Sequence, residues 1–318
     1  MRALVTGASG FIGRALVARL ASDGHTVERV VRGLAGPGEA AFDLDNRRID
    51  MSQLAGGSLE GFDAVFHLAG EPITPSRWTP AKRERIRASR IVTTDVLARA
   101  LAALDSPPPV LVSGSAIGYY GDRGDEILVE GSTAGTGFLA ELCRAWEAAT
   151  SPAKAGGIRV VNVRTGIVLG ARGGVLAKQA PIFRLGLGGP LGAGRSWLSW
   201  IALEDEVGAL LHAAACADLQ GPCNLTAPSP VRSAEFADAL GEALHRPARL
   251  AVPRAALVAA MGRMVADEVV LASQRVLPSR LEQTGYRFAR PTVQGAIAVA
   301  LGHAPVGASG TAPAGGHR

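Results

Sequence analysis

The residues most able to do chemistry lie at the very start of the chain. Thr6-Gly7-Ala8-Ser9-Gly10-Phe11-Ile12-Gly13 sets glycines three residues apart, directly after the apolar run Ala3-Leu4-Val5. Glycines so spaced between a strand and a helix make a tight turn whose backbone can approach a pyrophosphate, and a side chain at Gly10 would occupy the phosphate's space. The helix that follows presents unpaired N–H groups and the positive end of its dipole to the anion. A second candidate stands where the next strand ends, Val30-Val31-Arg32-Gly33. An NAD-preferring site usually has an acid there to hold the ribose 2′-hydroxyl. Arg32 can instead pair bidentately with a 2′-phosphate, which favours NADP(H). The alternative is a solvated Arg32, with Asp43 or another acid reading the ribose. A third candidate is Glu71, in Leu68-Ala69-Gly70-Glu71. An acid at the mouth of a strand can act as a base if burial raises its pKa. It can equally be a charge at the N-terminus of the next helix.

These groups require a particular scaffold. Short apolar runs at Ala3–Val5, Thr26–Val31, Ala64–Leu68, Val110–Ser113 and Arg159–Val163 alternate with helical patterns. That alternation is the signature of βαβ units around a parallel sheet. Phe11, Ala15, Leu16 and Leu20 recur at helical spacing, predicting a helix from about Phe11 to Ser22, stopped at Gly24. The expected class is α/β, a Rossmann-type doubly wound parallel sheet with a smaller C-terminal α/β lobe. Residues 1–228 form the Rossmann domain, with an excursion at about 171–200; residues 229–301 form a compact second lobe of two or three helices. The tail from Gly302, rich in Gly, Ala, Pro and Ser, reads as disordered.

Composition narrows the function classes. A chain of 318 residues, 47% hydrophobic and 19% charged, can bury a large core. The formal charge of +5 comes from scattered bases, of which only Lys82, Lys154 and Lys178 are lysines, so nucleic acid is not an expected partner. Cys143, Cys216 and Cys223 are far apart and no metal-ligand spacing occurs, which fits a reducing, cytoplasmic setting without structural metal. No apolar run is long enough to span a bilayer, and the chain enters a strand at once, without a secretory leader.

Further segments then carry a resemblance. Thr6 to Gly13, Leu68-Ala69-Gly70-Glu71-Pro72-Ile73, Arg77-Trp78, Ser113-Gly114-Ser115-Ala116, Trp146-Glu147 and Arg164-Thr165-Gly166 together resemble an atypical branch of the extended short-chain dehydrogenase/reductases, the NAD-dependent epimerase/dehydratase-like epimerase family proteins. Asn224-Leu225-Thr226-Ala227-Pro228 and Gln274-Arg275-Val276-Leu277-Pro278 resemble that branch's C-terminal domain of unknown function. The resemblance implies NADP(H) across the carboxyl ends of the strands, with Val31 and Arg32 at the adenosine phosphate and the lobe 229–301 capping a substrate cleft. It further implies Leu68 and Ala69 touching the coenzyme through backbone, and Arg90 and Val168 lining its site. Arg90 has a separate rationale, since it falls on the helix after the strand 64–68, within reach of phosphates or ribose.

One departure matters. Ordinary members of the superfamily pair a Ser or Thr with a Tyr and a Lys four residues later, the Lys lowering the tyrosine pKa. Here the corresponding helix offers Leu139 and Cys143, and the residues four places after Tyr119, Tyr120 and Tyr286 are Arg123, Gly124 and Arg290. Ser115 stands at the hydroxyl position, able to donate to a substrate carbonyl, with Tyr119 or Tyr120 as a substitute proton donor or as rings packing the cleft wall. His67 reads as a core residue, and Trp197 and Trp200 as pocket wall or core. Three functions stay open: an NADP(H)-dependent oxidoreductase or epimerase acting on a small carbonyl- or hydroxyl-bearing substrate, a non-catalytic NADP(H)-binding regulator, and a dehydratase or isomerase that keeps its cofactor tightly bound with no net turnover of it.

Overall fold

The computed structural model describes residues 1–73, 77–171 and 173–302. The chain lays down strands β1 (Arg2–Thr6), β2 (Thr26–Arg32), β3 (Glu39–Asp43), β4 (Arg48–Asp50), β5 (Ala64–His67), β6 (Val110–Ala116) and β7 (Ile127–Leu128). Then come β8 (Arg159–Thr165), β9 (Ile167–Gly170), β10 (Trp197–Leu198), β11 (Trp200–Ala202), β12 (Gly221–Leu225), β13 (Val231–Arg232) and β14 (Arg275–Val276). Eight of them form one sheet in the order β12-β8-β6-β5-β1-β2-β3-β4. Every pairing is parallel except β3 with β4. Strand order reverses between β1 and β5, which opens a crevice at their carboxyl ends.

Burial on both faces explains the unbroken apolar strands. Because side chains alternate along a strand, Ala3, Val5, Phe66, Val112 and Val161 pack on one face with Leu16 and Leu20 of helix α1 (Phe11–Ser22). Leu4, Val65 and Leu111 pack on the other with Val96, Leu97 and Leu101 of α2 (Pro80–Ala102). Helices α3 (Phe138–Ala148) and α4 (Ser151–Ala155) follow β6. The five expected strands are all present, and α1 has the anticipated bounds. Strands β3 and β4 were not anticipated: Glu39-Ala40-Ala41-Phe42-Asp43 carries alanines, which are poor strand formers until a neighbouring strand buries them.

Beyond Thr165 the chain leaves the sheet through β9 and α5 (Gly174–Arg184), returns through β10 and β11 into α6 (Leu203–Ala215), and adds β12 at the sheet edge. Leu169, Leu176, Phe183 and Trp200 share one apolar cluster with Phe236 and Leu240 of α7 (Ser233–Leu244) and with Ile297. The excursion and the C-terminal segment therefore fold against each other. In place of two or three helices, the C-terminal segment carries α7 and the short helices Arg254–Met261, Arg263–Val265, Ser279–Gln283 and Val293–Ala300. The expected disordered tail lies, apart from Gly302, outside the described residues. No described helix is long and apolar enough to cross a membrane.

Candidate functional site

The glycine turn sits where β1 meets the crevice. Gly7 adopts a φ of +70°, and a Cβ there would stand 2.7 Å from the carbonyl carbon and oxygen of Leu68 and 2.8 Å from the Ala69 nitrogen. A Cβ on Gly13 would lie 2.1 Å from the Gly7 oxygen. Only glycine lets the turn, the end of β5 and the helix approach this closely. The Gly10 N–H closes the turn on the Gly7 carbonyl at 2.9 Å, and α1 begins at Phe11 with no side-chain cap and no acid in its first turn. Its leading N–H groups are thus left for a ligand. Phe11 packs against the excursion, because a Cβ on Gly173 would sit 2.4 Å from its ring. Ile12 and Val168 belong to the same apolar core, Val168 buried and Ile12 half-buried.

At the end of β2, beyond half-buried Val31, Arg32 is exposed, its Nη1 3.8 Å from a Glu71 carboxylate oxygen. Asp43 is committed elsewhere, accepting from Arg48 at 2.8 Å and from Asn46. Glu71 itself is held by Lys82 at 2.7 Å, with Arg85 and Arg32 at 3.8 Å. The bond from Lys82 keeps its carboxyl below the usual carboxylate range, against the opposing effect of burial. This corrects the reading of Glu71 as a base, which required a raised pKa: three cations turn it into an anchor for the mouth of the crevice. Arg90 donates to the Glu71 carbonyl at 2.9 Å and stacks 5.0 Å over the Trp146 ring.

Across the crevice lies a cavity of about 230 Å³, lined among others by Ser115, Thr165, Leu139, Cys143, Trp197 and Gln274. Ser115, at the carboxyl end of β6, donates to Glu147 Oε1 at 2.7 Å. Arg164, on neighbouring β8, donates from Nε to the same oxygen at 2.7 Å and from Nη2 to Oε2 at 2.9 Å. Its Nη1 bonds the Tyr120 hydroxyl at 3.0 Å, and its guanidinium lies 3.4 Å from the centroid of the Tyr119 ring. Tyr120 donates to Asn224 Oδ1 at 2.7 Å, and burial pushes its phenol up to about 12. Tyr120 is therefore a packed strut, while Tyr119 is half-buried under the guanidinium. The Ser115 proton is already committed to a carboxylate, which corrects its assignment as a donor to a substrate carbonyl. Leu139 and Cys143 occupy the wall where the missing pair would stand, and burial, aided by Glu147, pushes the Cys143 thiol up to about 12. Trp197 lines the cavity and Trp200 is core.

Glu147 and Arg164 escaped residue-by-residue reasoning. The only signal was their presence in Trp146-Glu147 and Arg164-Thr165-Gly166, since nothing in the sequence says that two residues 17 apart meet across a helix and a strand. A larger groove of about 390 Å³, between α1, α6 and Val293–Ala300, is mainly apolar and holds none of the candidate groups.

The two halves of the site are joined through the core. Trp146 Nε1 donates to Thr94 Oγ1 at 3.0 Å; Thr94 and Thr6 flank the His67 ring at 2.9 and 2.7 Å; and the Ala69 N–H donates to Thr6 Oγ1 at 3.1 Å. His67 is fully buried, and that burial lowers its pKa to about 4, so the imidazole is neutral.

Comparison with known proteins followed the same outline. The model of the NAD dependent epimerase/dehydratase family matches residues 3–223, and that of a domain of unknown function, DUF1731, matches residues 252–300. Epimerase family protein Mb2239 of Mycobacterium bovis is 45% identical over 301 residues, 94% of this chain and 96% of that protein. The crystal structure of human epimerase family protein SDR39U1 (isoform 2) with NADPH aligns with a TM-score of 0.85 at 36% identity, over 95% of this chain and 99% of that one. The nucleoside-diphosphate sugar epimerase of Corynebacterium glutamicum aligns with a TM-score of 0.76 at 38% identity, over 95% of this chain and 58% of that one.

Proposed function

Since the chain belongs to the NAD dependent epimerase/dehydratase family, we propose that it binds NADP(H) in the crevice between β1 and β5 and acts as an oxidoreductase or epimerase on a small hydroxyl- or carbonyl-bearing compound. One observation carries the proposal: the turn at Gly7 leaves no room for any Cβ, while the first turn of α1 beside it has no side-chain cap. Such a cradle suits a pyrophosphate. The human relative, crystallised with NADPH, supports the choice of coenzyme. Gly7, Gly10 and Gly13 would admit the pyrophosphate, Arg32 would meet the 2′-phosphate, and Leu68 and Ala69 would offer backbone groups. Arg90 would face the ribose or phosphates. A bound nicotinamide supplies hydride transfer; the chain's part is to orient a substrate oxygen at Ser115 and to exclude water beneath the segment after Ser229.

A second reading, a non-catalytic NADP(H)-dependent regulator, draws on Leu139 and Cys143 at the positions of the missing pair. Fluorescence titration with NADPH and NADH tests the shared premise. NADPH is expected to bind at least about tenfold tighter, a preference that Arg32→Ala erases, because a charge-assisted pair contributes about 1.5 kcal/mol or more. Equal affinity for the two coenzymes rejects Arg32 as the 2′-phosphate ligand. Turnover of a small-molecule panel, with product stereochemistry, then separates catalyst from regulator.

A further inference from the structure

The hydroxyl at the centre of the cavity has a fixed polarity. Arg164, its side chain 3% exposed, holds both oxygens of Glu147. With both oxygens accepting from the guanidinium, Glu147 faces Ser115 as a hydrogen-bond acceptor. Ser115 must therefore spend its single proton on Glu147 Oε1, 2.7 Å away, leaving only lone pairs for the cavity. Thr165 stands one strand over. Next to Ala116 in the ladder, it also lines the cavity and donates to a buried carboxyl, Glu206, at 2.8 Å.

We infer that the Glu147–Arg164 pair is a positioning device that fixes Ser115 as an acceptor toward the cavity, so that the cleft takes its ligand in the hydroxyl-bearing form and disfavours the corresponding carbonyl form. This rests on the reading of the cavity as the substrate cleft. A ligand O–H meets the Ser115 lone pair as a donor meets an acceptor. A ligand C=O meets it lone pair to lone pair, and neither oxygen has a proton to share. Reversing that polarity requires the hydroxyl to leave Glu147 Oε1, an acceptor that the guanidinium holds in place. Seen this way, Arg164 and Glu147 do not replace the missing Tyr and Lys as a proton donor; they set which oxidation state of the ligand the serine prefers.

The test uses the full chain saturated with NADPH and an isosteric probe pair, cyclohexanol and cyclohexanone, each titrated by ligand-observed NMR. The alcohol is expected to bind about fivefold tighter, the worth of one net hydrogen bond. In Ser115→Ala the two probes are expected to bind equally. In the double variant Glu147→Leu/Arg164→Met, which strands no buried charge, Ser115 recovers its proton and the alcohol preference is expected to vanish or reverse. A merely structural role for the pair would change both affinities together and leave their ratio intact. Equal affinities or a ketone preference in the unaltered protein overturns the inference, as does an alcohol preference that survives in the double variant. Binding of neither probe overturns it too. Failure of the preliminary NADPH titration instead removes the reading beneath it, and that result is seen before any probe is added.

Discussion

Replacing Glu206 by Gln should stabilise the protein at neutral pH. Glu206, on the first turn of α6, is fully buried; its Oε1 accepts from Thr165 at 2.8 Å, and its Oε2 has no partner among the described residues. Burial raises its pKa from an ordinary 4.5 to about 8. Below pH 4.5 the carboxyl is neutral in both folded and unfolded chains and its titration costs nothing. Between 4.5 and about 8 the unfolded chain releases the proton while the folded one keeps it. Folding stability therefore falls by about 1.4 kcal/mol per pH unit across that window, some 3 kcal/mol at pH 7. Glutamine keeps an oxygen for Thr165 and has nothing to titrate. Urea unfolding of both proteins from pH 4 to pH 9 reads the difference directly: the gap should widen from near zero to about 3 kcal/mol at pH 7 and level off above pH 8. A gap independent of pH would show that Glu206 ionises normally and refute the reasoning.

Further outcomes follow from other residues of the fold. His67, its pKa lowered to about 4 by burial, should cost stability as pH falls from 6.5, by about 1.4 kcal/mol per unit, in a slope that His67→Gln removes in acid unfolding. That window opposes the Glu206 slope between about pH 4.5 and 6.5, so the unaltered protein should show a plateau there while each single variant shows a gradient. Arg164→Met alone should lose about 3–5 kcal/mol by stranding Glu147, measured by urea midpoint, whereas the double variant with Glu147→Leu should recover most of the loss. Gly7→Ala should abolish NADPH binding in titration, since its Cβ would meet the Leu68 backbone at 2.7 Å. Gly24→Ala, with a φ of +78° but nothing within 4 Å, should cost only about 1 kcal/mol of stability and leave binding intact.

Much of the architecture was legible because its signals are local. A strand, a glycine turn and an amphipathic helix stand within about two dozen residues, and each constrains the next. Arg32 could be placed because β2 follows one crossover from β1. Strand β3 was hidden because alanine gains strand character only from the neighbours that cover it, and β4 because Arg48-Ile49-Asp50 is too short to show a period. The chemistry of the cleft was less readable for a related reason. Glu71 looked like a candidate base while Lys82, 11 residues on, was out of view. Ser115 looked like a donor while Glu147, 32 residues on, was unplaced. In both cases the residue type was right and the partner decided its role, and a partner across a sheet leaves no periodic trace.

The line of hydrogen bonds from Trp146 through Thr94, His67 and Thr6 to Ala69 has a mechanical consequence. Its links between uncharged side chains are buried, where breaking one leaves a polar atom with no water to turn to. The floor beneath the nucleotide and the helix walling the cavity are thereby bolted into one stiff plate. Substitutions elsewhere in the cavity lining, at Trp197 or Gln274, can reshape that space without loosening the plate.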